Sequence, residues 1–181
     1  MNRKNKVLIL IFAILIPLLH ESAHWLGYYI DGIPATFKYG ITYTYGGKKG
    51  FYGVLFGPLL NFCLSVIAFF ISYIDKQNRI YWYIISLTSS ISRFFNCGLI
   101  LFMSLFNKNV ILLNDEGKIS ELFRLPSYSL YIVSIIVYIL LFAMICIHIE
   151  DNKLFKEITF RIFIYTFFIS LIIICYQFLL A

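Results

Sequence analysis

The chain has 181 residues, 61% of them hydrophobic and 13% charged, with a formal net charge of +6. A soluble domain carries about 25% charged residues, so this composition places the chain in a membrane. Its Lys and Arg residues are scattered over termini and loops without a dense run. That argues against nucleic-acid binding, which needs a clustered basic face, and fits contact with the anionic headgroups of a lipid bilayer.

The N-terminal stretch "MNRKNKVLILIFAILIPLL" has the basic end and apolar run of a signal peptide. The candidate cleavage region, however, would place Glu21 where a small residue is required, and four more apolar segments follow. A retained first transmembrane helix is therefore expected. A helix needs about 20 apolar residues to cross the hydrocarbon core. Five segments qualify, at residues 7–30, 51–74, 80–106, 127–149 and 158–180, with the charged clusters "DKQNR" (75–79) and "EDNKLFKE" (150–157) as loops. The first connection, 31–50, breaks the helical pattern; its "FKYGITYTY" is aromatic and β-branched and is bounded by Pro34 and Gly46-Gly47, a strand or hairpin signal. The connection at 107–126 holds a short apolar stretch, Val110 to Leu113, then an Asn-Asp start for a short helix ending before Pro126. The expected fold is an all-α membrane protein: a polytopic bundle of about five transmembrane helices with a short β hairpin or strand in the first long loop. It forms a single integral membrane domain over 1–181, with a core at 7–126 and additional helices at 127–181. Cys63, Cys97, Cys146 and Cys175 all lie in apolar segments, spaced neither as a disulfide framework nor as a zinc knuckle. They read as core fillers.

Chemistry concentrates in "PLLHESAHWLGYY", Pro17 to Tyr29. His20 and His24 are four apart, which puts both imidazoles on one helical face. Two such nitrogens can bind one tetrahedral zinc ion, and Glu21 between them can act as general base toward water on the metal, whose pKa zinc lowers to about 7. The bland alternative is a chance match. Against it, each ionisable residue inside a bilayer costs about 2.5–3.5 kcal/mol on insertion scales, so three polar groups in one turn demand compensation. A bound cation and a water-filled cavity would provide it.

Depth gives a second test. His20 and His24 lie six to ten residues before the end of the first segment, "GPLLN" (Gly57 to Asn61) six to ten after the start of the second, and Asn96 ten before the end of the third. At about 1.5 Å per residue all three share one layer on one side of the bundle. An Asn in a membrane helix is commonly interhelical glue; Asn61 and Asn96 at the depth of a metal site are also candidates for substrate binding. An open zinc site needs a third protein ligand. His148 lies at the opposite face by topology. Asp115 lies on the correct side, with Glu116 as competitor and a helix N-cap as its alternative role. Asp31 is also on that side and reads as a turn residue. Arg93 either pairs with an acidic group of the site or snorkels toward an aqueous cavity.

These residues resemble the site-2 protease family of intramembrane zinc metalloproteases. The resemblance rests on "HESAH" in the first helix and on "GVLFGPLLNF", similar to the family's glycine-proline-x-x-asparagine element, with a strand-forming connection between them. It covers residues 7–75 well and the remainder loosely. It implies zinc-dependent hydrolysis of a peptide bond in or near a transmembrane segment of another protein, in a multi-pass protein of a bacterial-type cell membrane. His20 and His24 would be ligands, Glu21 the base, and Asn61, with Gly57 and Pro58, part of the substrate-facing element. The family's third ligand is the aspartate of a leucine-aspartate-glycine motif. The nearest match is "LNDEGK", with Asn in place of Leu and Glu before Gly, which points to Asp115. A substrate helix would unwind and pair its backbone with "YGITYTY" by strand addition.

The alternatives are non-proteolytic: a metal or proton transporter, an immunity-type membrane protein, or a pseudoprotease that binds helices without cutting them. A transporter would show discontinuous helices in paired repeats, and the sequence has no repeat. Counting eight Lys and Arg on the N-terminal side against six on the other, the positive-inside rule places the N-terminus in the cytoplasm. The family orientation instead turns the active-site side to the cytosol. Substrate and oligomeric state are not specified by the sequence.

Overall fold

The computed structural model describes residues 3–148 and 152–180. In chain order these form α1 (Arg3–Ile30), β1 (Ala35–Lys38), β2 (Ile41–Thr44), a 3-10 turn (Tyr45–Gly47), α2 (Phe51–Ile74), α3 (Arg79–Ser104), a second 3-10 turn (Lys108–Leu112), α4 (Asp115–Leu122), α5 (Ser129–His148) and α6 (Asn152–Leu180). Five of the helices, all but α4, are long and apolar enough to cross a membrane. The chain is thus a multi-pass membrane protein of the expected class, with a small antiparallel hairpin after its first helix.

α1 ends where the sequence forces it to. Gly32 takes a positive φ of 69°, its N–H donates to Tyr29 C=O, and Ile33 N–H reaches back to Tyr28 C=O at 2.9 Å. This is a Schellman termination, which glycine permits at no steric cost. The hairpin pairs Ala35 with Thr44 through Lys38 with Ile41, leaving Tyr39-Gly40 as a two-residue turn with Gly40 at φ 78°.

α3 is central, packing on α1, α2, α5 and α6. Its contact with α2 is a seam of small polar residues. The Ser65 hydroxyl donates to Ser86 C=O, and the Ser86 hydroxyl donates back to Ser65 C=O at 2.7 Å. Small residues let the two backbones approach, and their hydroxyls are satisfied within the helix pair. Below the seam, Ile9, Phe69, Ile84, Leu87, Ile145 and Ile162 form the main apolar core. Above it, the same helix carries Ser92, Arg93 and Asn96 to the opposite end of the bundle.

Several boundaries differ from expectation: α1 begins at Arg3 rather than 7, and α5 at Ser129 rather than 127. α3 ends at Ser104, two residues early. The loop expected at 150–157 falls at its start on residues outside those described, and from Asn152 onward it is helical. The reason is amphipathic: Leu154 and Phe155 pack on the main core, while Arg161 donates to Glu157 one turn earlier. The charged turn therefore continues the helix beyond the apolar span. The cysteines are all free; Cys97 is buried, but Cys175 is exposed on the bundle exterior and is no core filler.

Candidate metal centre

α1 presents His20, Glu21 and His24 on its buried face, each less than 8% exposed. Close packing of α1 on α2 fixes the second histidine. His24 Nδ1 donates to Gly53 C=O at 2.6 Å, so a neutral His24 turns its Nε2 lone pair into the bundle. A Cβ on Gly57 would lie 2.2 Å from His24 Nε2, and one on Gly53 would strike the Tyr28 ring. Gly57 thus admits the His24 imidazole, and Gly53 the Tyr28 ring, against the α2 backbone. The start of α2 is itself held by Asp31, whose Oδ2 accepts from Gly53 N–H at 2.7 Å. Asp31 is therefore more than a turn residue: it caps the second helix and, through Gly53, steadies His24. That role has no local signature, because donor and acceptor lie 22 residues apart.

α4 supplies the third group. Asn114 occupies the N-cap position, leaving Asp115 as the first helical residue with its side chain free to enter the bundle. The Asp115 carboxylate reaches both histidines: Oδ2 lies 3.0 Å from His20 Nε2, and Oδ1 lies 3.2 Å from His24 Nε2. The two Nε2 atoms are 3.0 Å apart. A tetrahedral ion with bonds of about 2.0–2.1 Å separates its ligand atoms by about 3.3 Å; one ligand atom from each of the three residues lies within 4.8 Å of the others, close enough for a single ion to draw them in. Between the lone pair of neutral His24 and Asp115 Oδ1 there is no protein hydrogen. Two acceptors so close call for a cation, a proton or a metal ion. The donor set of two imidazoles and a carboxylate fits zinc.

Arg93 enters from α3 at 1% exposure and resolves its two alternatives in favour of pairing. Its Nε donates to Glu116 Oε1 at 2.9 Å and its Nη2 to Glu116 Oε2 at 2.7 Å. Nη2 also donates to Asp115 Oδ2 at 2.8 Å, and Nη1 lies 3.3 Å from His20 Nε2. Both Glu116 oxygens are thus engaged by the guanidinium, and Glu116 does not join the histidines. Burial alone would raise the Asp115 carboxyl, but the positive charge facing it, the Arg93 guanidinium included, holds it well below the usual carboxylate range.

Beside these groups opens a cavity of about 290 Å³ lined by Glu21, both histidines, Asp115, Asn61 and Asn96, with residues 40–44 of the hairpin along one wall and Lys48, Lys49 and Lys118 also in its lining. The Oδ1 atoms of Asn61 and Asn96 are buried without a hydrogen-bond partner among the described residues. Thr42 of β2 donates to Glu21 Oε2. The register runs on through Tyr45 N–H to Pro34 C=O. Alternation of hydrogen-bonded pairs along an antiparallel ladder then turns the backbone groups of Thr42 and Thr44 away from β1.

The other expected residues lie elsewhere. Gly57 and Pro58 are not in the cavity lining; Gly57 backs His24 instead. His148 packs against Tyr73 with ring centroids 4.1 Å apart and planes tilted by 47°, at the opposite end of α2. The residues that sequence reasoning missed are Asp31, Gly53 and Thr42, which position the histidine-glutamate turn from other elements.

Comparison with family models, curated proteins and solved structures finds no match to this chain.

Proposed function

We propose that the protein is an intramembrane zinc metalloprotease that hydrolyses a peptide bond in or near a transmembrane segment of a membrane-protein substrate. The observation that carries this reading is the convergence of His20, His24 and Asp115, each imidazole Nε2 within 3.0–3.2 Å of an Asp115 oxygen and the two Nε2 atoms 3.0 Å apart, beside Glu21 in a cavity at the level of the bundle interior. The open cavity distinguishes it from a closed structural zinc site.

When bound, zinc would polarise the scissile carbonyl and activate water. The remaining chemistry falls to the chain's own groups. Glu21 Oε2, oriented by the Thr42 hydroxyl, takes a proton from the attacking water and returns it to the leaving amine. The free edge of β2 offers the N–H and C=O groups of Thr42 and Thr44 to an extended substrate backbone. An extended strand is needed because a helical amide is shielded by its own hydrogen bonds. The orphan Oδ1 atoms of Asn61 and Asn96 supply acceptors for N–H groups on the substrate.

The test is cleavage of single-span membrane substrates by the purified full-length chain in liposomes, with products identified by mass. The wild type is expected to cut within or beside the span, and Glu21→Gln to lose about 10²–10⁴ in rate, the usual contribution of a general base. Equal rates for the two proteins would overturn the assignment.

A further inference from the structure

Arg93 is the largest of the fully buried side chains, and nothing in the hydrolysis described above uses it. Its hydrogen bonds have a pattern that an ion pair serving stability alone would not need. Two donors form a fork on Glu116, while Nη2 continues to Asp115 Oδ2 and Nη1 faces His20 Nε2. One guanidinium thus touches the neighbour of the third candidate ligand, that ligand itself and a first ligand on another helix. Arg suits this use because its donors lie in a fixed plane.

The segment it holds needs holding. α4 is eight residues long, too short to persist without tertiary support, and Asp115 is its first residue. The corner before it is tight: a Cβ on Gly117 would lie 1.9 Å from Ile111 C=O. Glu116 is also one of the two residues by which "NDEG" departs from the leucine-aspartate-glycine pattern, and it is 3% exposed with both oxygens on Arg93.

We propose that Arg93 and Glu116 are positioning residues for the metal centre: Glu116 seats the guanidinium, and the guanidinium fixes the Asp115 carboxylate against His20 and His24. The inference rests on the zinc reading and adds to it a support shell drawn from α3 and α4. Partners of metal ligands commonly change affinity by about 10–100-fold when removed. The pair is neutral as a unit, so removing both leaves no unpaired Glu116 carboxylate, and the Asp115 carboxylate that loses Arg93 still faces the two histidines.

The experiment measures Zn²⁺ affinity of the purified full-length chain in detergent by chelator competition, alongside thermal unfolding with and without Zn²⁺. The variants are Arg93→Gln, Arg93→Lys, Glu116→Gln and the double Arg93→Met/Glu116→Leu. Arg93→Gln, Glu116→Gln and the double variant are expected to weaken Zn²⁺ binding about 10–100-fold. Arg93→Lys should recover part of the loss, since it keeps the charge without the fork. The gain in unfolding temperature on adding Zn²⁺ should shrink in step. Should Arg93→Gln fail to fold, the double variant and Arg93→Lys carry the test. A folded double variant with wild-type Zn²⁺ affinity would overturn the positioning role while leaving the zinc reading intact. A wild type that binds no Zn²⁺ would instead sink the zinc reading and this inference together.

Discussion

The Thr42 hydroxyl lies 2.7 Å from Glu21 Oε2 and 3.0 Å from the Glu21 main-chain oxygen, so one residue of the hairpin grips both ends of the candidate base. The same residue turns its backbone to the free edge of β2. Thr42→Val should therefore release Glu21 and slow cleavage about 10–100-fold, the scale of a misplaced reacting group. Thr42→Ser should retain most activity. Zinc content should not change in either, because Thr42 touches no candidate metal ligand; steady-state rates and metal analysis on the same preparations check this.

Asp115 and Glu116 are adjacent but have different partners. Asp115→Ala removes the one carboxylate that, among the described residues, groups with both histidines, so the purified variant is expected to carry no stoichiometric zinc. Full retention of zinc in that variant would move the third ligand elsewhere.

Two glycines on the α1–α2 contact should respond differently to alanine. A Cβ on Gly27 would lie 2.2 Å from Tyr52 C=O, which is main chain. Gly27→Ala should cost about 1–3 kcal/mol of stability through overpacking, seen as lower unfolding temperatures with and without Zn²⁺. A Cβ on Gly57 meets His24 Nε2 instead. Gly57→Ala should displace the imidazole and weaken Zn²⁺ binding, which chelator competition would show.

Asn61 and Asn96 line the cavity with unpartnered Oδ1 atoms but face the substrate side of the proposed chemistry. Asn61→Leu and Asn96→Leu should raise KM or lower kcat/KM about 10-fold, near the worth of one or two hydrogen bonds, with zinc content unchanged. Loss of metal in either variant would assign it to the centre instead.

What could be read in the sequence follows from periodicity and topology. The i,i+4 spacing put His20 and His24 on one face. Counting residues from helix ends brought Asn61 and Asn96 to their level, and loop order put Asp115 on their side. The structure places all five around one cavity. Interactions set by side-chain direction across elements were not legible. Asp31 reaches Gly53, and Thr42 reaches Glu21, across 22 and 21 residues, with no periodic signal linking them. Whether Arg93 paired or snorkelled depended on how α4 docks, and its docking also separates Asp115 from Glu116. The early start of α6 was hidden because Lys153, Lys156 and Glu157 look like loop charges until their helical neighbours Leu154 and Phe155 are seen on the core.

The most direct measurement is X-ray absorption at the zinc edge on the purified full-length protein. One zinc per chain is expected, with two imidazole nitrogens and a light oxygen shell at about 2.0–2.2 Å, and imidazole scattering reduced by one ring in His24→Ala. A protein that takes up no zinc, or holds it through sulfur, would contradict the zinc reading.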